Sequence, residues 1–347
     1  MLRNPTMRAV LFYGPGDVRL TQRLIPRAGI GEVVVKIHVA LTCGTDLKAY
    51  RQGHPVLLAR MPSPFGHEMA GVICEVGEGV TAWSGGERVV VLNSAPCDQC
   101  YFCAHDNPEL CDNLELLNGA YADYIAVPAH ITRHNVHRLP NGLSYAKAAL
   151  AEPFACALHA IDKMRIEPGE TIALIGAGNM ARLLIRALKN ARARILVLGR
   201  DAGRLKLALA AGADEVVDLT RETDAVLAVQ HRTDGRGADG VIEAVGKPET
   251  WRLSVGMVRK GGRVCFFGGC AVDATVELDA HRLHYGEIAV FGVFHHRPSY
   301  VQQALDLLGK GVVSPELFID REITLEEVVP FFAANQNASP LKAAVVM

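Results

Sequence analysis

Four cysteines crowd into the stretch "CDQCYFCAHDNPELC", residues 97–111. Cys97, Cys100, Cys103 and Cys111 are spaced C-x2-C-x2-C-x7-C, in a run that also holds Asp98, Asn107 and Pro108 and follows Pro96. A thioredoxin-type redox pair needs two cysteines at a helix start, not four. Four soft thiolates on a short excursion suit a closed tetrahedral zinc site: the two-residue gaps wrap the ion and the longer gap returns the chain for the last ligand. With every coordination position filled, such a metal is structural and fastens a lobe with little apolar core of its own. An iron–sulfur cluster and unmetallated thiols are the alternatives. His105 lies inside the loop and is read as solvated, because four thiolates complete the shell. Chemistry, if the protein performs any, belongs elsewhere.

Other stretches offer groups that could do it. Cys43 stands in "LTCGTDLKAY" (41–50), His67 and Glu68 in "PFGHEMAGVICEVGEGV" (64–80), and Glu152 in "AALAEPFACALHA" (148–160). Singly, each has a plain structural reading as a core cysteine or a satisfied turn. Residues 170–219 are more specific. An apolar strand over Thr171–Ile175 meets Gly176-Ala-Gly178-Asn-Met-Ala181, then an amphipathic helix, then a second strand over Ile195–Leu198. A glycine turn in that frame binds a dinucleotide. Gly176 permits the tight turn, Gly178 lets the backbone approach the pyrophosphate at the helix N-terminus, and Ala181 replaces the third glycine. At the end of the second strand, where an NAD site carries a carboxylate, stand Gly199 and Arg200, with Arg204 one helical turn on. A missing carboxylate removes repulsion of a 2′-phosphate, and arginine grips phosphate bidentately, so NADP(H) is favoured and NAD(H) is possible. The plainer reading of both arginines is a solvated helix start.

Taken together, "CGTD", "GHEMAGVICEVGEGV", the cysteine cluster and "EPFACALHA" resemble, in order and distance, the zinc-dependent medium-chain dehydrogenase/reductase family, which includes alcohol, polyol and threonine dehydrogenases. The resemblance covers essentially the whole chain. It implies a catalytic zinc held by Cys43, His67 and Glu68, with Glu152 as a fourth ligand or a partner of the zinc-bound water, so that there are two zinc ions per chain. The metal would polarise the substrate oxygen and lower its pKa, and hydride would pass to the nicotinamide. Thr45 resembles the hydroxyl relay residue that touches the substrate oxygen, and Asp46 reads as a turn or supporting carboxylate. Lys48 stands where many members end the relay with histidine; His54 could substitute, though a loop histidine is the favoured reading. Turns at Gly246, Gly268 and Gly269 are implied to line the nicotinamide. Sorbitol-type members bind polyol hydroxyls with an arginine near the position of His295-His296-Arg297, which here reads equally as a substrate contact or as an interface or helix cap.

The fold class that follows is α/β: a GroES-like β-barrel catalytic domain over 1–153, completed by 294–347, and a Rossmann doubly wound parallel-sheet cofactor domain over 154–293, with the active site expected between them. The 347 residues, half of them hydrophobic, supply ample core. A net charge of −1 gives no case for nucleic acid or an acidic membrane surface. No run approaches the roughly 20 apolar residues of a membrane span, and the N-terminal stretch lacks the continuous apolar segment of a secretion signal. A cytoplasmic protein is expected, with an alcohol, polyol or ketone as substrate and, by the resemblance, a homodimer or homotetramer as the working form. Of nine cysteines, Cys74, Cys156, Cys265 and Cys270 lie in apolar runs and read as buried small residues. The alternatives to a polyol dehydrogenase are a threonine 3-dehydrogenase-like amino-alcohol enzyme and a cofactor-binding sensor without turnover.

Overall fold

The structure, a computed structural model, describes residues 5–54, 58, 60–336 and 342–347. The first four residues, part of the stretch read for a secretion signal, lie outside them. The chain divides into two compact units, 1–152 with 296–347, and 153–295.

In the first unit, the alternation of Val33–Leu41 (VVVKIHVAL) builds a central strand that is buried along most of its length. Glu68–Val76 pairs antiparallel along one edge of it. Tyr124–Val127 and then the C-terminal strand Ala343–Val346 pair along the other. The seven-stranded sheet is completed by Arg88–Val91, Val136–Arg138 and Arg321–Thr324. Phe12, Phe65, Tyr121 and Phe332 pack in its core. Two consequences of register matter for function. Leu41 lies opposite Glu68, and Ala344 lies opposite Leu41, so the end of the chain is brought beside the His67-Glu68 pair. Gly71 sits where the two long strands approach closely, beside a bulge: a Cβ there would lie 2.1 Å from the Lys36 carbonyl oxygen.

The second unit is a six-stranded sheet in which every pairing is parallel. Its order is Glu215–Asp218, Arg194–Gly199, Thr171–Ile175, Ala238–Glu243, Val258–Phe266, Ala289–Gly292. This is the doubly wound order, with its switch point between the first and fourth strands. The Asn179–Asn190 helix lays Leu184, Ile185, Ala187 and Leu188 into the core, as the 3.6-residue period of its apolar positions dictates. The expected α/β class is therefore realised.

The reading of the isolated cysteines needs correction. Cys265 is buried, but Cys74 is exposed, and Cys156 and Cys270 are half-buried. Cys74 follows Ile73 on a strand, and the period of two turns it to the outer face. Among the described residues, no helix is long and apolar enough to cross a membrane.

Because a Cβ at Gly71 would meet only backbone atoms of the neighbouring strand, only movement of the central strands could relieve it. A Gly71→Ala protein is expected to lose about 2–4 kcal/mol of stability. Chemical denaturation measures this, and an unchanged midpoint would contradict the close approach.

Candidate active site

The helix Gly44–Gln52 begins at Cys43, whose extended backbone (φ −118°, ψ 153°) makes it the N-cap. The Cys43 Sγ accepts from the Thr45 N–H at 3.4 Å, and the Asp46 side chain reaches back to the Cys43 N–H at 3.1 Å. This reciprocal cap fixes where the thiol projects. Asp46 does more than cap. Its Oδ1 lies 2.8 Å from His67 Nδ1, and its Oδ2 accepts from the Tyr121 hydroxyl at 2.5 Å. Burial and the Asp46 carboxylate both hold the Tyr121 phenol well above its usual pKa, so it stays a donor. Burial opposes a charged His67, yet Asp46, with Cys43 behind it, holds this imidazole above its ordinary range. With Nδ1 held by Asp46, Nε2 is the nitrogen left to act as a ligand.

Glu68 follows on the strand and is completely buried. Both of its oxygens meet Lys342 Nζ, at 2.8 and 2.6 Å, and the same ammonium donates to the Thr42 carbonyl at 3.1 Å. Burial disfavours the charge on Lys342, but Glu68 outweighs it and keeps the ammonium above its ordinary range. Glu152 is buried too, and loss of solvent pushes its carboxyl up to about 7, with His67 pulling it back and Glu68 adding to the rise. Thr45 and Lys48 are exposed on the helix. His54 is half-buried; burial lowers its pKa, and the charges of Lys48 and His67 act in the same direction.

The ligand atoms of Cys43, His67 and Glu68 lie within 4.8 Å of one another. A thiolate, an imidazole with its far nitrogen already held by a carboxylate, and a carboxylate form a donor set that suits zinc. Glu152 stands outside that trio but within the reach of its charges.

Cys97, Cys100, Cys103 and Cys111 converge in the same way. Cys100 Sγ lies 3.5 Å from that of Cys103 and 3.8 Å from that of Cys111. Tetrahedral zinc with Zn–S near 2.3 Å sets sulfurs roughly 3.8 Å apart, so the four thiols fit the ion. Backbone N–H groups of Cys97 and Asn113 point at Cys111 Sγ at 3.2 and 3.3 Å, a feature that favours thiolates. His105 is exposed, stacks on Tyr101 and stays outside the cluster.

In the second unit, Gly176 has φ +109° and closes the turn after its strand. Gly178 opens the Asn179–Asn190 helix, and Ala181 is buried against the sheet. Arg204 folds back toward this turn, its Nη1 3.9 Å from where a Gly178 Cβ would stand. Among the described residues, no hydrogen bond or ion pair engages the side chain of Arg200 or Arg204. Asp201 does not compete for them: its carboxylate caps the next helix through the Arg204 N–H at 2.9 Å. Gly199 ends its strand against Ala177 and Leu205. Gly246 (φ +78°) and Gly268 pack backbone on backbone, with a Gly268 Cβ position only 2.4 Å from Gly246 N.

Sequence reasoning missed three groups that organise these sites. Tyr121 and Lys342 arrive from distant segments; the one available signal was a lysine set against an apolar strand in "LKAAVVM". Glu243, fully buried, accepts from the Val245 and Gly246 N–H groups at 2.8 and 3.0 Å and so shapes the Gly246 turn. The polyol-binding alternative for Arg297 is answered by its partners. Arg297 is the N-cap residue of the Pro298–Gly309 helix, and its guanidinium meets Glu109 in the cysteine lobe at 2.7 and 2.9 Å. His296 is buried beside Asn93, at 3.3 Å.

Comparison with known proteins agrees with this geometry. Residues 29–141 match the Alcohol dehydrogenase GroES-like domain family, and residues 178–310 match the Zinc-binding dehydrogenase family. A sorbitol dehydrogenase of Bacillus subtilis (strain 168) is 28% identical over 92% of this chain and 91% of its own length. A D-arabitol-phosphate dehydrogenase of Enterococcus avium is 30% identical over 98% of this chain and 97% of its own. The crystal structure of a zinc-binding dehydrogenase from Sinorhizobium meliloti 1021 bound to NADP superimposes with a TM-score of 0.91, at 28% identity, covering 99% of this chain and 100% of that one.

The Glu68–Lys342 pair supports a direct test. Lys342→Met leaves a buried carboxylate uncompensated and is expected to lower stability by about 3–5 kcal/mol. Adding Glu68→Gln to it should restore much of the loss, as measured by denaturation of both proteins. Equal losses in the single and double variants would show that the pair does not act as a unit.

Proposed function

The chain belongs to the zinc-dependent medium-chain dehydrogenase family, and from that premise we propose that it interconverts a secondary hydroxyl of a small alcohol or polyol and the corresponding ketone, with a nicotinamide dinucleotide as hydride partner. The observation that carries the reading is the convergence of Cys43, His67 and Glu68 within 4.8 Å, around an imidazole whose tautomer Asp46 sets. A zinc ion held by these three, with Glu152 as a fourth ligand or as an acceptor beside the ion, would polarise the substrate oxygen and lower its pKa. A second zinc in the cysteine lobe would be structural.

The protein's own groups have distinct tasks on this reading. Asp46 keeps the proton of His67 on Nδ1, so that Nε2 faces the ligand position. Burial raises the carboxyl of Glu68, and Lys342, whose ammonium meets both oxygens, pulls it back toward the ionised form. The Thr45 hydroxyl, exposed in the first turn after the Cys43 cap, receives the proton of the substrate hydroxyl and passes it outward. Backbone N–H groups at the start of the Asn179–Asn190 helix receive the pyrophosphate. Arg200, just past the second strand, and Arg204, on the helix that follows it, grip a 2′-phosphate, which favours NADP(H) over NAD(H). The turns at Gly246 and Gly268 flank the nicotinamide. Arg297 and His296 are already paired within the first unit and leave the polyol hydroxyls to other groups. The working form is a homodimer or homotetramer in the cytoplasm; cysteines kept as metal ligands and out of disulfides suit a reducing compartment.

His67→Ala and Cys43→Ala are expected to reduce kcat at least roughly a thousandfold, because Lewis-acid stabilisation supplies several kcal/mol. Dinucleotide binding, followed by fluorescence, should persist in both. Full turnover in either variant would sink the assignment.

For the cofactor, Arg200→Ala and Arg204→Ala are expected to raise KM for NADPH by roughly tenfold or more, with KM for NADH nearly unchanged. Equal effects on the two cofactors would remove the phosphate-gripping role.

A further inference from the structure

A third set of ligand atoms lies apart from both centres already described. It consists of Asp98, His130 and His134, whose donor atoms fall within 4.8 Å of one another. His130 and His134 are four residues apart on the Ala129–His134 helix and therefore share one face. Their rings stack with centroids 5.8 Å apart. Asp98 comes from the cysteine lobe, between Cys97 and Cys100, and its Oδ2 reaches to 2.8 Å from His134 Nε2. That nitrogen is shielded from solvent and, among the described residues, has no partner aligned as a hydrogen bond requires. With His130, these two atoms bring three donor atoms within reach of one ion.

The ligands are held from behind by separate contacts. The histidine helix buries Ile131 and Thr132, and Thr132 Oγ1 donates to the Val127 carbonyl at 3.0 Å. The Trp83 indole donates to the Thr132 carbonyl at 3.2 Å. Asp98 has φ +61°, a left-handed conformation that aspartate tolerates better than most residues. Asp98 lies between two lobe cysteines, Cys97 and Cys100, so the fold of the lobe sets where its backbone runs. The competing group is Arg133, whose Nη2 lies 3.4 Å from His130 Nδ1.

We propose that Asp98, His130 and His134 form a third divalent-metal site, of the zinc class, that bridges the cysteine lobe to the Ala129–His134 helix. Two imidazoles and a carboxylate match the donor preference of zinc and its neighbours rather than that of calcium or magnesium. Donors around tetrahedral zinc with N and O ligands sit roughly 3.4 Å apart, within side-chain rotation of the spacing found here. Three protein ligands leave a coordination position to solvent, so this ion exchanges more readily than one closed in by four thiolates. The bridge tightens the lobe against the helix when zinc is available and releases it when zinc is scarce.

The test uses the full chain, loaded with zinc at the cysteine and Cys43 sites. Equilibrium dialysis against micromolar zinc, followed by metal counting, should give one ion per chain more for the wild type than for His130→Gln or His134→Gln. Zinc should raise the Tm of the wild type and not of the variants, whose affinity for the extra ion falls by roughly tenfold or more. Turnover without added zinc should match in all three proteins. Cobalt(II) added to the zinc-loaded wild type should give d–d absorption without a thiolate charge-transfer band, and both variants should lack it. Equal metal counts in the wild type and both variants would overturn the proposal and leave Asp98–His134 as an ion pair. A thiolate charge-transfer band would also overturn it, by putting the added ion at cysteines.

Discussion

In a space closed to solvent, the Asp46 carboxylate meets the Cys43 N–H, the Tyr121 hydroxyl and His67 Nδ1. One group thereby sets the start of a helix, the direction of a thiol and the tautomer of an imidazole. A buried carboxylate without such donors would be strongly unfavourable, so each of the three is held in place by the needs of the charge they share. Cys43 and His67 come from different elements, a helix cap and the approach to a strand. Their spacing is kept because both are tied to the same two oxygens, and a metal site tolerates little misplacement of its ligands.

A second buried charge closes the first unit. Glu68 follows His67 in the candidate ligand trio, but its charge partner is Lys342, 274 residues away. The antiparallel pairing of Ala343–Val346 with Val39–Leu41 brings that lysine in, and the Ala343 N–H donates to Thr42 Oγ1 at 2.8 Å to lock the register. The end of the chain is thus part of the site's support. Removing it would expose a carboxylate whose surroundings were built for an ion pair. The same logic holds the cysteine lobe: Arg297 reaches it from the start of a helix and pairs with Glu109, which is almost wholly buried.

In the second unit, backbone proximity is the constraint in place of charge. Gly176, Gly246 and Gly268 occupy places where a Cβ would meet neighbouring main chain or side chain, and Glu243 caps the N–H groups of the turn that follows it. Small residues line these strand ends, and a buried carboxylate holds the shape of the Gly246 turn.

The features legible in the sequence were those whose partners lie close along the chain. Four cysteines within one loop, and a glycine turn between an apolar strand and an amphipathic helix, state their chemistry locally, since the spacing of the residues is the geometry of the site. The α/β class follows from the same local periods. Tertiary structure decided the rest. Tyr121 on Asp46, Lys342 on Glu68 and Asp98 against His134 depend on strand register and on which loops meet, and neither can be read from the period of a single segment. Cys74 and Arg297 teach the same lesson: an apolar run does not say which face a cysteine takes, and an arginine does not announce whether a substrate or a buried glutamate will claim it. By itself, the sequence determined which groups were available and where the chain could turn. Folding determined which charges are buried together, because only contact across long separations sets the loss of solvent that gives a buried carboxylate its partners.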